Sequence, residues 1–186
     1  MTALMYDREN PWEVTTRTIV YAAIGAALYA ITAQFQFPLP GTANVFLRPS
    51  FALVPFFGFA FGPIVGLFVG LVGNAIADQI SGWGLLTSWN WSLANGLAGL
   101  IAGLAGYWLA GGIRNRVARS AVAAAIGVVI GFLFVLTDIW LGTAEDIGVA
   151  MVDNYIPVVI GNLIVSVILV PILVAAWEPV RESIGR

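Results

Sequence analysis

Asn74 and Asp78 lie four residues apart, so a helix would set an amide and a carboxylate on one face, with Gln79 beside them. Three further groups follow: Trp89, Asn90, Trp91 and Asn95; then Thr137, Asp138 and Trp140; then Asp153, Asn154, Tyr155 and Asn162. Each group borders or interrupts an apolar run, where polar side chains are expensive and mark function. Asp78 and Asp138 stand out as carboxylates embedded in apolar sequence. Amides, carboxylates and aromatic rings suit a pocket for a flat small molecule with a polar edge. The rings stack on its faces and a few polar groups fix its orientation. Arg48 stands apart from the other arginines, before Pro49 on a proline-rich loop, and could close over such a pocket. The substrate-binding candidates are Arg48, Asn74, Asp78, Gln79, Trp89, Asn90, Asp138, Asn154, Tyr155 and Asn162. Other roles compete for some of them. Tryptophan and tyrosine at helix ends form interfacial belts. Asp153 and Asn154 suit helix caps, and Arg48 could anchor its loop to lipid phosphates.

Several chemistries are excluded. Cysteine is absent, which removes disulfides, thiol nucleophiles and thiolate metal sites. Histidine is absent too, and with it the commonest general base and transition-metal ligand. No GxSxG and no phosphate-binding loop occurs. We therefore expect no catalytic residues, no metal and no cofactor. A carboxylate-only membrane enzyme is conceivable, but no acidic pair has motif spacing. The net charge of −2 argues against a nucleic-acid partner.

The elements that must position these groups are membrane spans. The chain is 60% hydrophobic and 10% charged, with mean hydropathy +0.92, whereas soluble domains carry roughly 25% charged residues. Its 186 residues leave room for about six spans of roughly 20 residues. Apolar runs cover about 18–35, 48–60, 64–80, 89–110, 121–141 and 155–177. The second is short for a bilayer of roughly 30 Å, so it tilts or begins within a loop; the count falls to five if it forms a broken hairpin with the third. Phe61-Gly62-Pro63 marks a tight turn between those two runs.

Arginine placement orients the bundle. Arg8 and Arg17 precede the first run, Arg114, Arg116 and Arg119 separate the fourth and fifth, and Arg181 and Arg186 follow the last. Cytoplasmic loops retain positive charge. The expectation is an all-α integral membrane protein: a six-helix transmembrane bundle with both termini cytoplasmic. Residues 1–186 form one transmembrane domain with a short cytoplasmic segment at 1–16. The polar groups and Arg48 then fall on the outer side. In the first run, Ala22, Ala26 and Ala30 recur every four residues, with Ala23 and Ala27 beside them. Small residues at this spacing let membrane helices approach closely, either within the bundle or across an interface. Gly62, Gly66 and Gly70 form a second such row, read as internal packing.

The residues from Leu47 to Gly84, LRPSFALVPFFGFAFGPIVGLFVGLVGNAIADQISGWG, carry a family resemblance that extends over nearly the whole chain. It resembles the substrate-binding S components of energy-coupling factor (ECF) transporters, and within them a small riboflavin-type branch. The shared features are Arg48-Pro49, Phe61-Gly62-Pro63, Asp78 and Gly82-Trp83-Gly84; that branch has a histidine where this chain has Asn74. The resemblance implies a plasma-membrane importer subunit that captures a vitamin or related micronutrient from outside. It implies partnership with a transmembrane coupling subunit and two cytoplasmic ATPases, which hydrolyse the ATP, and a toppling motion that releases substrate inside. It also implies a coupling-subunit interface at Ala22, Ala23, Ala26 and Ala30, similar to the family's AxxxA motif. Riboflavin is the first substrate expectation and a thiamine pyrimidine precursor or other micronutrient the alternative. From another class, a ligand-free structural membrane subunit stays open.

Overall fold

The computed structural model describes residues 10–42 and 45–183. Arg8, Arg186 and most of the 1–16 segment lie outside the described residues. The chain is mostly helical: α1 (Thr16–Thr32), α2 (Leu53–Phe61), α3 (Pro63–Ile80), α4 (Trp89–Trp108), α5 (Arg116–Gly131), α6 (Asp138–Leu141), α7 (Ile147–Val149) and α8 (Ile156–Ser183). Short tight-helical stretches extend some of these into longer rods. A 3-10 turn, Pro49–Ala52, leads into α2, and another, Phe132–Thr137, joins α5 to α6. A π-helical stretch, Ala150–Tyr155, joins α7 to α8. Four rods are long and apolar enough to cross a membrane: Pro63–Ile80, Trp89–Gly111, Arg116–Leu141 and Ile147–Ser183. Thr16–Thr32 and Pro49–Phe61 are shorter apolar helices. The last two rods begin upstream of the expected starts at 121 and 155, because polar residues there cap and extend them. Asn115 accepts from the Ala118 amide and Asp146 from the Val149 amide.

Local chemistry sets the helix ends. Thr15 and Thr18 close α1 with a reciprocal capping box. At Gly62 the backbone takes φ +111°, which only glycine adopts freely, and Pro63 then opens α3. That turn folds α2 back along α3. Between α1 and α2 a two-residue antiparallel hairpin pairs Phe37 with Leu47 and Pro38 with Phe46.

Small residues hold the rods together. A Cβ at Gly66 or Gly70 would strike the backbone of Gly99 or Asn95, and one at Gly99 would strike Gly66. Helices α3 and α4 thus pack backbone to backbone. Gly127 and Gly131 meet Ala98 and Ala102 in the same way, so α5 packs on the neighbouring face of α4. Such closeness gains dispersion and leaves no room for substitution.

The small-residue row of α1 needs a correction. Ala22, Ala26 and Ala30 are buried, and Gly73 of α3 packs against the Ala26 backbone. This row faces the bundle, not a partner. The 100° turn per residue, about 3.6 residues per turn, puts Ala23 and Ala27 on the outer face instead, where both are exposed among Val20, Ile24, Leu28 and Ile31.

The opposite end of the bundle is closed by arginines. Arg116 and Arg181 pair with Glu178 at 2.9 and 2.8 Å, and the guanidinium groups of Arg116 and Arg119 lie over the Phe59 ring. These contacts tie α5 and α8 to the end of α2.

Candidate functional site

The separated polar groups converge at the hairpin end. A cavity of about 420 Å³ opens there, between α1, α3, α4 and the 132–162 region, with Val45, Phe46 and Arg48 from the hairpin segment in its wall. Small-molecule sites span roughly 300–1,000 Å³. The cavity wall has two polar networks and an aromatic band.

Arg48 centres the first network. Its Nε donates to Gln36 Oε1 at 2.9 Å, Nη1 to Asn74 Oδ1 at 2.9 Å and Nη2 to Asp78 Oδ1 at 3.1 Å. Asn74 Nδ2 donates to Asp78 Oδ2 at 2.9 Å and to Ser92 Oγ at 3.0 Å. The buried Tyr29 hydroxyl, one turn beyond Ala26, donates to Asn74 Oδ1 at 3.3 Å. Asn74 thus makes four hydrogen bonds, the full capacity of an amide. It positions its neighbours and has nothing left for a ligand. The four-residue spacing in α3 does put Asn74 and Asp78 together, but the pair is spent on Arg48.

Asp138 centres the second. Its carboxylate accepts from Asn90 Nδ2 at 2.7 Å, Trp91 Nε1 at 3.0 Å and Asn154 Nδ2 at 2.8 Å. Its own carbonyl accepts from the amides of Thr143 and Ala144, which folds the following loop back. The 3-10 turn before α6 and the π stretch before α8 aim Asp138 and Asn154 at each other. Asn154 is therefore no helix cap. Deviant helical turns of this sort often mark functional sites.

Eight of the ten expected residues line the cavity: Arg48, Asn74, Asp78, Trp89, Asn90, Asp138, Asn154 and Asn162. Gln79 and Tyr155 do not, and both expectations are corrected. Gln79 is a single step of about 100° past Asp78, so it points outward, where its Oε1 accepts from the Leu85 amide at 2.9 Å. Tyr155 ends the π stretch, and its hydroxyl donates to the Val129 carbonyl at 2.9 Å, tying α8 to α5. The candidates omitted Tyr29, Phe51, Trp83, Trp91, Asn95 and Phe132, all in the cavity wall. A signal for Tyr29 was there: it shares the inward stripe of Ala22 and Ala26 yet carries a hydroxyl.

Arg48 is the strap between the hairpin and α3. Its side chain is 14% exposed and that of Asp78 9%. In Arg48→Ala the hairpin loses its two tethers to α3, at Asn74 and Asp78, so a bound ligand is expected to leave roughly 10- to 100-fold faster with a smaller change in association rate. Stopped-flow tryptophan fluorescence reads both, because Trp83, Trp89 and Trp91 line the cavity. An unchanged release rate would show that Arg48 does not hold the hairpin over a bound ligand.

Comparison with known proteins extends this geometry. A UPF0397 protein of Vibrio atlanticus is 41% identical over 90 residues, 48% of this chain and 48% of that protein. The aligned stretch thus spans about half the length of that relative. No solved structure matches the chain. The profile of the ECF-type riboflavin transporter, S component, matches residues 13–178, nearly the whole helical bundle. The chain belongs to the ECF-type riboflavin transporter S component family.

Proposed function

We propose that this chain captures a small heteroaromatic vitamin or vitamin precursor from outside the cell and delivers it through an ECF-type importer. The observation that carries this reading is the hairpin-covered cavity, in which aromatic rings and two fixed polar networks surround a space of small-molecule size. Riboflavin is the first substrate to test, in keeping with the family, and thiamine precursors the second. The arginine-rich end faces the cytoplasm, so the cavity opens outward. ATP hydrolysis takes place on two partner ATPases, joined to this chain through a membrane coupling subunit. The direct experiment is ATP-dependent uptake of labelled riboflavin or thiamine by proteoliposomes holding this chain with an ECF energising module. Uptake of neither compound, with ligand-free protein after purification, would favour a structural subunit.

The outer face of α1 is the coupling surface in this reading. Ala27→Trp is expected to abolish most uptake, more than about 10-fold, while leaving ligand affinity within about twofold, because a large ring there blocks helix approach far from the cavity. Ala26→Trp is expected to do something different: it falls inside the bundle against Gly73 and lowers the yield of folded protein. Isothermal calorimetry and uptake assays separate the two. Orientation is read independently. In a chain without cysteine, Ala118→Cys and Glu145→Cys place labels at exposed positions at opposite ends. An impermeant thiol reagent applied to intact cells is expected to modify the residue at 145 and spare that at 118; the reverse pattern would invert the topology.

A further inference from the structure

Every charged side chain in the cavity wall can be followed to its partner. Three line it: Arg48, Asp78 and Asp138. Arg48 and Asp78 neutralise each other at 3.1 Å. Asp138 is 3% exposed and accepts only from the neutral donors Asn90, Trp91 and Asn154. Among the described residues no cation lies within 4.0 Å of it. The wall therefore holds one carboxylate with no cation beside it, in a cavity that is open on one side. The remaining polar groups are mostly spent on each other. Among the buried polar side chains of the wall Asn162 is the exception: the residue is 5% exposed and, among the described residues, its side chain has no hydrogen-bond partner. Its amide atoms are not among the buried ones left without a partner, so they open on the cavity, where a ligand can take the place of water. A primary amide offers one acceptor and two donors in a plane, which matches the edge of a lactam, imide or aminopyrimidine ring.

We propose that the site takes a planar ring of zero or single positive charge, reads the hydrogen-bonding edge of that ring through Asn162, and rejects phosphorylated or carboxylated forms of the same compound. This rests on the capture reading above and narrows its substrate class. A phosphate adds nearly two negative charges at neutral pH. In this wall it would meet Asp138 with no spare cation to offset it, and like-charge juxtaposition across a binding interface is strongly disfavoured.

The test uses matched pairs on the purified full chain: riboflavin against riboflavin 5′-phosphate, thiamine against thiamine monophosphate, and nicotinamide against nicotinate. For each pair in which one member binds, calorimetry is expected to show the uncharged or cationic member at least about 100-fold tighter. Asn162→Ala is expected to weaken that member by roughly 5- to 150-fold while leaving the thermal midpoint of ligand-free protein unchanged or higher, since no internal bond is lost. Equal affinity within a pair, or preference for the anion, overturns the charge assignment and leaves capture intact. Wild-type affinity in Asn162→Ala, or weakening accompanied by a lower ligand-free midpoint, overturns the role of Asn162. Failure of all six compounds to bind removes the heteroaromatic reading itself, and this inference with it.

Discussion

Asp138→Ala is expected to weaken ligand binding by about 150-fold. The carboxylate is the shared acceptor of Asn90, Trp91 and Asn154, which come from α4 and the π stretch. Its removal leaves the Trp91 and Asn154 donors without partners and Asn90 with Thr137 alone. One such donor costs roughly 1–3 kcal/mol, and water entering the cavity recovers part of the total, so a net loss of about 3 kcal/mol is reasonable. Much of that loss is disorder: Trp91 and Asn154 must be reordered when the ligand arrives, and that ordering opposes binding. Asp138→Asn keeps one acceptor oxygen and is expected to fall between wild type and alanine. Calorimetry gives the affinities, and gel filtration of each variant checks that the bundle is intact. Affinity within threefold of wild type in Asp138→Ala would remove this network from the site.

Gly99→Val is expected to prevent accumulation of folded protein altogether. The Gly99 Cβ position lies on the Gly66 carbonyl and against the Val54 side chain, and Gly66 likewise meets Gly99 and Gly58. Backbone cannot move aside as a side-chain tip can. The β-branched residue must push α3 and α4 apart, which removes their closest packing and spoils the walls that hold Asn74 and Asn95. Overpacking of a well-filled core typically costs about 1–3 kcal/mol, and more where backbone is struck. The variant is expected in aggregates or in the void volume after detergent extraction. In contrast, Gly112→Val, where a Cβ meets only the Leu109 carbonyl at 4.0 Å, is expected to yield protein near wild-type levels. A monodisperse Gly99→Val protein would show that the interface is looser than its geometry.

The sequence made the rods legible because each needs a long apolar run, and the charged stretches between them are hard to place anywhere else. The cavity was legible for a related reason. Polar residues in apolar helices must meet one another, so Asp78, Asp138 and the asparagines could be grouped before their partners were known. What those groups do to each other was hidden. Spacing says that Asn74 and Asp78 share a face, but not that Arg48, on a loop 26 residues before Asn74, would take both. The Asp138 network depends on a 3-10 turn and a π stretch, and neither has a period that can be read from residues in isolation. They also account for Tyr155 turning away. The face of α1 was ambiguous for another reason. Alanine and glycine occupy both sides of that helix, so its pattern carries little contrast between inside and outside. Only contact with Gly73 and Phe57 of neighbouring helices selects the buried row.

Native mass spectrometry of the purified chain, with and without added ligand, tests the central claim most directly. The expected result is one small heteroaromatic molecule per chain, carried through purification or taken up on adding riboflavin or a thiamine precursor. The bound form should disappear in Asp138→Ala and persist in Ala27→Trp, because the first alters the cavity and the second only the outer face of α1. A chain that stays ligand-free with every such compound, or one whose ligand survives Asp138→Ala but is lost in Ala27→Trp, would contradict a substrate site in this cavity.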